Sequence, residues 1–203
     1  MYLPKQFDRP EHAGTLMREH PLASLVTTDD SGFPHITHLP LKLEEEGGAP
    51  RRLLGHCARG NPLWGYLQQR PLALASFMGP QAYMSPKVYA DLQRVPTWCY
   101  LAVQVRVQAR LLEGEAAKDA LLKQLIGDHE PPYAAQWRAL PEDYTERMLQ
   151  GIVAFELAVV DLQCAVKLNQ HRPEAHAAMH QAYSAGGHQE QALAQWMQRL
   201  GMV

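Results

Sequence analysis

Ala102-Val103-Gln104-Val105-Arg106-Val107-Gln108-Ala109-Arg110-Leu111-Leu112 is the stretch from which the fold can be read. Val103, Val105, Val107 and Ala109 alternate with Gln104, Arg106, Gln108 and Arg110. A period of two puts one set on a buried face and the other on a polar face, which defines a half-buried strand. Further apolar runs lie on both sides of it, at 22–28, 33–43, 52–57, 72–78, 152–160 and 164–168. Asp29-Asp30-Ser31-Gly32 is a strong turn signal and makes the first two runs a hairpin. Pro34 and Pro40 place the second of them at an edge or beside bulges, and 44–51 reads as a polar loop. Many strands with few helices between them favour a mainly antiparallel barrel over βαβ units.

Four helices are expected among these strands. The first covers 8–20, with Asp8 as N-cap and Glu11 at capping-box spacing, and Pro21 ends it. Ala13, Leu16, Met17 and His20 line one of its faces. The second covers 61–69, with Asn61 as N-cap and Pro62 at its first position. The third covers 115–127, with Leu121, Leu122, Leu125 and Ile126 as its apolar stripe and Gly127 as its stop. The fourth covers 141–150. Beyond Arg172 the chain becomes rich in Ala, Gln and His, and Leu193, Trp196, Met197 and Leu200 fall on one helix face that must pack on the barrel or on a partner subunit. The expected fold is therefore mainly β with helices: a barrel domain over 1–178 with peripheral helices, and a C-terminal helical extension over 179–203.

Bulk properties narrow the classes of function. The chain has 203 residues, 46% hydrophobic and 20% charged, as in an ordinary globular protein. No apolar run approaches the ~18 residues of a membrane span, and the opening residues carry no apolar h-region, so neither a membrane nor a signal peptide is expected. The formal charge of −2 speaks against a dedicated nucleic-acid surface, although a dimer can concentrate a local basic patch, so DNA stays a partner without support from charge. Cys57, Cys99 and Cys164 are odd in number and far apart, which fits buried thiols in a reducing cytoplasm. His35 and His38 fall on opposite faces of a strand, and His176 and His180, although four apart, lack a third ligand. Ser85 has no small-residue elbow around it. No metal site and no catalytic nucleophile are expected.

Three patches carry the chemistry: Gly55-His56-Cys57-Ala58-Arg59-Gly60-Asn61-Pro62, Gly79-Pro80-Gln81-Ala82-Tyr83-Met84-Ser85-Pro86, and Val95-Pro96-Thr97-Trp98-Cys99-Tyr100. Each reads as a junction between strand and loop, where binding groups concentrate. Together they suit a flat, aromatic, phosphorylated ligand such as flavin mononucleotide (FMN). Arg59 and the helix start at Asn61 offer donors for a phosphate. Tyr83, Trp98 and Tyr100 offer walls for a ring, and His56, Ser85 and Thr97 offer hydrogen bonds to its edge. In Lys167-Leu168-Asn169-Gln170-His171-Arg172, Lys167 or Arg172 can reach the phosphate or the ring edge, where positive charge stabilises a reduced, anionic ring. The same residues also read as an ordinary strand-to-helix turn with a surface arginine, two core aromatics and a charged strand exit.

With these motifs on view, the span from Met1 to about Ala178 resembles the PaiB family of FMN-binding split-barrel proteins. The resemblance rests on the opening Met1-Tyr2-Leu3-Pro4-Lys5-Gln6-Phe7, on Thr37-His38-Leu39-Pro40, on the three patches above, and on Lys167-Leu168 with Gln170 and Arg172-Pro173-Glu174. It implies a six-stranded split barrel that forms a homodimer with FMN at the subunit interface, and contacts to the cofactor from His56, Arg59, Asn61, Tyr83, Ser85, Thr97, Trp98, Tyr100, Lys167, Gln170 and Arg172. Two positions depart: the family more often has Asn where Cys99 stands, and a Ser-Gln-Asn run where this chain has Asn169-Gln170-His171. A thiol is only a weak donor.

The resemblance implies a negative transcriptional regulator or redox sensor. The alternative is an enzyme: an FMN-dependent oxidoreductase, or a haem-binding or haem-degrading split barrel, for which His176 or His180 would be the axial ligand. A barrel that has lost its cofactor and serves as an interaction module is a third reading.

Overall fold

The computed structural model describes residues 1–91 and 93–203. Seven strands form one sheet: β1 (Leu22–Thr28), β2 (Pro34–Pro40), β3 (Lys42–Glu46), β4 (Ala49–Ala58), β5 (Leu72–Met84), β6 (Thr97–Leu112) and β7 (Ile152–Lys167). Their order is β2-β1-β5-β6-β7-β4-β3. The β1–β2, β1–β5, β3–β4 and β4–β7 pairs are antiparallel. The sheet does not close, as in a split barrel. Among the described residues seven α-helices accompany it: α1 (Ala13–Glu19), α2 (Leu63–Gln69), α3 (Glu115–His129), α4 (Tyr133–Ala139), α5 (Glu142–Gln150), α6 (His176–Ser184) and α7 (His188–Arg199). Among the described residues no helix is long and apolar enough to cross a membrane.

Several boundaries differ from the sequence reading, each for a local reason. Asp8 caps no helix: it is extended and bridges Ala165, and two short 3-10 turns at Lys5–Phe7 and Pro10–His12 precede α1. The run 33–43 is broken at Leu41, next to Pro40, which has no N–H for a ladder. That break makes seven strands where the resemblance implies six. The segment 44–51 is a hairpin of β3 and β4 instead of a loop, turning at Gly47 and Gly48 with φ of 60° and 81°; two successive positive φ values are what a tight hairpin turn needs. β5 runs on through Pro80 to Met84 and β6 begins at Thr97, so most of the second and third patches is strand. α3 passes through Gly127, α4 was not foreseen, and β7 is one continuous strand of 16 residues.

By its internal contacts the chain divides into two units, and β5, β6 and β7 each give one part to each. The first unit comprises Met1–His20, Phe77–Gln104 and Gln163–Val203. Its core holds Leu16, Met17, Phe77, Met84, Leu101, Met179, Trp196 and Met197, all nearly inaccessible to solvent. Gly79 is small because a Cβ there would come within 3.0 Å of Leu16 and 3.3 Å of Leu101. The apolar face of α7 packs on its own chain: Trp196 stacks edge-on against His12 at 5.5 Å, and Arg199 pairs with Glu19 at 2.6 Å. Gln189 Oε1 accepts from the Gln81 backbone N–H, which ties α7 to β5.

The second unit comprises Pro21–Ser76 and Val105–Leu162. Asp29 Oδ1 accepts from Ser31 N, Ser31 Oγ and Phe33 N at 2.9, 2.7 and 2.8 Å, closing the β1–β2 turn. Under α3, Leu121 and Leu125 pack on Leu54 of β4 and Ala154 of β7, together with Leu112. Gly55 faces the other way, where a Cβ would sit 2.6 Å from Leu41 and 3.0 Å from Phe155.

Candidate functional site

Eight of the eleven sequence-derived site residues lie in the first unit. β5 and β6 are neighbours, and this sets Tyr83 beside Trp98, with ring centroids 6.4 Å apart in an edge-on arrangement. Both are about half exposed, at 50% and 55%. A pair of large aromatic side chains left open to water is a contact surface in search of a partner or ligand. On the next strand, Lys167 donates to Thr97 Oγ1 at 2.8 Å and sits 5.7 Å from the centre of the Tyr100 ring. Tyr100 and Lys167 also line a small cavity of about 140 Å³, closed from the other side by Tyr2, Pro4 and Phe7.

Three residues of this group turn to local structure instead. Ser85 Oγ accepts from the Lys87 N–H and caps a 3-10 turn. Gln170 folds back on its own strand exit, donating to Val166 O and accepting from Leu168 N–H. Arg172 is drawn toward Glu174 at 3.9 Å. Cys99 alternates with Trp98 and Tyr100, so it faces inward: it is fully buried, 3.9 Å from Met84 Sδ and hydrogen-bonded to Tyr183. The departure at this position therefore falls on the inner face of β6. Burial pushes the Cys99 thiol up, and burial also pushes up the Tyr183 hydroxyl.

The remaining three candidates lie in the second unit, around the end of β4. α2 starts at Leu63 with Pro62, not Asn61, at its N-cap; Asn61 Oδ1 accepts from Leu63 N–H at 2.9 Å just ahead of the helix, and its amide nitrogen reaches Thr37 Oγ1 at 3.4 Å. Burial lowers the His56 pKa, and its Nδ1 is buried without a partner. Arg59 behaves differently from both. Its Nε donates to Gln150 O at 2.7 Å and its Nη2 to Ile152 O at 3.3 Å, at the junction of α5 and β7. Lys118 donates to the neighbouring Leu149 O at 2.8 Å. The two cations thus cap the carbonyl end of α5, where positive charge is favoured. Arg59 borders a cavity of about 760 Å³ that neither His56 nor Asn61 lines.

Sequence reasoning passed over Lys118 and Tyr89. Lys118 carried a signal: it stands three residues before Leu121, on the apolar stripe of α3. Tyr89 carried none. Its hydroxyl donates to Oδ1 of Asn169, a buried residue in the left-handed region at φ 63°. His176 Nε2 is engaged by Asn169 O at 3.1 Å, whereas His180 Nε2 is buried without a hydrogen-bond partner. Among the described residues no three His, Cys, Asp or Glu side chains are grouped to hold a metal ion.

Within the first unit the chemistry fits a flavin: an exposed aromatic pair, Tyr83 and Trp98, and an ammonium, Lys167, held at Thr97 and Tyr100 on the strand ends. Ligand pockets commonly measure ~300–1,000 Å³, so the cavity at Tyr100 and Lys167 accommodates only part of such a ligand.

The fold is that of a split barrel, and comparison with known proteins agrees. Residues 1–161 match the family described as "Putative FMN-binding domain". The chain belongs to this family, and within it to the PaiB type. It is 35% identical over 179 residues to the protease synthase and sporulation protein PAI 2 of Bacillus subtilis (strain 168), covering 86% of this chain and 84% of that one. In fold it is similar to the flavocytochrome Anf3 of Azotobacter vinelandii, with a TM-score of 0.63 and 15% identity over 83% of this chain and 73% of that one. It is likewise similar to the FAD and heme binding protein of Mycobacterium smegmatis, with a TM-score of 0.60 and 18% identity over 78% and 71%.

Proposed function

We propose that the protein binds FMN as a homodimer and works as a flavin-dependent negative regulator of transcription or redox sensor in the cytoplasm. The observation that carries the reading is the exposed Tyr83–Trp98 pair on a chain of the PaiB type. Bound FMN would supply reversible redox chemistry. The residues of the chain supply recognition. Trp98 and Tyr83 present an apolar aromatic surface to the ring, and Lys167, held by Thr97 and Tyr100, provides a fixed positive charge at its edge.

The homodimer is supported by apolar side chains that the strands leave in water. Leu22, Ile36, Leu72 and Val160 are more than half exposed in the second unit, as is Trp98 in the first. A second copy of the chain covers such surface and excludes water from a ring lying on it. The overall charge of −2 gives little drive toward duplex DNA. The regulatory output therefore runs through a local patch or a protein partner.

Titration of the apoprotein with FMN, followed by sedimentation, tests this reading. The expected result is a dimer that quenches one FMN per protomer. A monomer that leaves FMN fluorescence unchanged contradicts it. The regulatory half is tested by binding to the promoter DNA of the genes it is found to repress, with the flavin oxidised and reduced. A difference between the two supports a sensor, and identical binding argues against one.

A further inference from the structure

The second unit contains a cavity of about 760 Å³ that the flavin reading does not use. α2 forms one wall with Trp64 and Leu67, and the ends of β6 and β7 form another. Its polar end is built from Arg59 and Lys118. Lys118 is more than nine-tenths buried and has no carboxylate partner; one of its three N–H groups is used by Leu149 O. Arg59 donates to neutral carbonyls as well. Two cations share one end of a cavity, neither neutralised, and burial followed by the charge of Arg59 lowers the Lys118 ammonium from its ordinary value, opposed by Glu115.

The rest of the lining does not supply the missing negative charge. Arg110 and Glu156 neutralise each other at 2.9 Å, and Glu156 is shared with Arg52 at 3.1 Å. With Glu113, the lining holds three cations against two carboxylates. The N-terminal end of α3 borders the same space through Gly114, and no side chain caps it. A helix start left uncapped favours an anion in the same sense as the two side chains. The opposite wall, of indole, leucine and Pro71, is apolar.

We propose that this cavity is a second ligand site, for an organic carboxylate whose anionic end meets Lys118 and Arg59 and whose apolar body lies against Trp64 and Leu67. The single excess positive charge matches a monoanion, and the volume falls within the ~300–1,000 Å³ typical of small-molecule sites. Such a ligand gives Lys118 its missing counter-ion and turns an uncompensated buried charge into a paired one. The site is independent of the flavin reading and reassigns Arg59 from cofactor phosphate to this carboxylate.

The test is calorimetric titration of the full-length protein with 1-naphthoate, with 1-naphthamide as the uncharged control and Trp64 fluorescence as the local report. Naphthoate is expected to bind about tenfold or more tightly than the amide, in keeping with a charge-assisted pair. Lys118→Met is expected to remove that preference while leaving FMN uptake unchanged. Equal binding of acid and amide, or no binding of the acid, overturns the proposal with the unmodified protein alone, whether or not the variant folds. Loss of FMN uptake together with the naphthoate preference in a Lys118→Met variant that melts like the parent protein also overturns it, since the two sites would then be one.

Discussion

The Lys167 ammonium donates to Thr97 Oγ1 at 2.8 Å, and so holds a cation at the point where β6 presents Trp98 and Tyr100. If that charge serves the cofactor, Lys167→Met weakens FMN binding about tenfold or more, because a hydrogen bond to a charged group contributes ~1.5–3 kcal/mol. It also shifts the flavin potential to more negative values, since the reduced anionic ring loses its counter-charge. Equilibrium titration and spectroelectrochemistry read both. Unchanged affinity and potential would make Lys167 a purely structural partner of Thr97.

Trp98 separates binding from folding. It is more than half exposed, so Trp98→Ala alters the stability of the isolated protomer by no more than ~0.5 kcal/mol. The same change removes the aromatic platform for the flavin ring, and since an aromatic pair is worth ~0.5–1.5 kcal/mol beyond area, it lowers FMN affinity several-fold to about tenfold. Thermal melts of the apoprotein and FMN quenching measure the two effects side by side.

Gly55→Ala acts in the opposite way. The new methyl would lie 2.6 Å from Leu41 Cδ2 and 3.0 Å from the Phe155 ring, both in the buried core. Overpacking of this kind costs about 1–3 kcal/mol. At this chain length each kcal/mol lowers Tm by ~2–4 °C. A melt within a degree of the parent protein would show that Leu41 moves aside freely.

Two pH effects follow from burial. Burial holds the folded-state pKa of His56 below 6.5, and that of His20 likewise. The unfolded chain then binds more protons below pH 6.5, so stability is complete above that value and is lost as pH falls through it toward the folded pKa. Urea titrations of the apoprotein between pH 5 and about 7 are expected to show this slope, and His56→Gln to flatten it. At the alkaline end the sign reverses. Burial pushes the Cys164 thiol from 9.0 to about 12, and raises Cys57 and Cys99 too. Ionisation in the unfolded chain therefore lowers stability as pH rises above 9.0 toward 12. The same burial makes all three thiols unreactive toward a disulfide reagent until the protein unfolds.

The strands were legible where one face is buried and the other wet, as in β6, whose valines alternate with Gln and Arg. They were not where the signal was conformational: Gly47-Gly48 looked like part of a polar loop because Glu44, Glu45 and Glu46 precede it, yet it is the turn of a hairpin. Pro80 suggested the end of a strand, and β5 continues through it. Among the candidate site residues, the aromatic Tyr83 and Trp98 lie side by side on neighbouring strands, and Lys167 meets Thr97 and Tyr100. Ser85 and Gln170 join neither group, because short polar side chains near a turn or strand exit bond their own backbone first, a competition that composition does not reveal. Arg59 shows the same limit over a longer range: its partners, Gln150 and Ile152, are about ninety positions away in the sequence.

The central claim, a flavin held by the Tyr83–Trp98 and Lys167 surface, is tested most directly by the absorption spectrum of the purified protein after incubation with FMN and removal of the excess. The account predicts oxidised-flavin bands that stay with the protein at one FMN per protomer, and are lost when Trp98→Ala and Lys167→Met are combined. A colourless protein, or a combined variant that keeps its full complement of FMN, would contradict it.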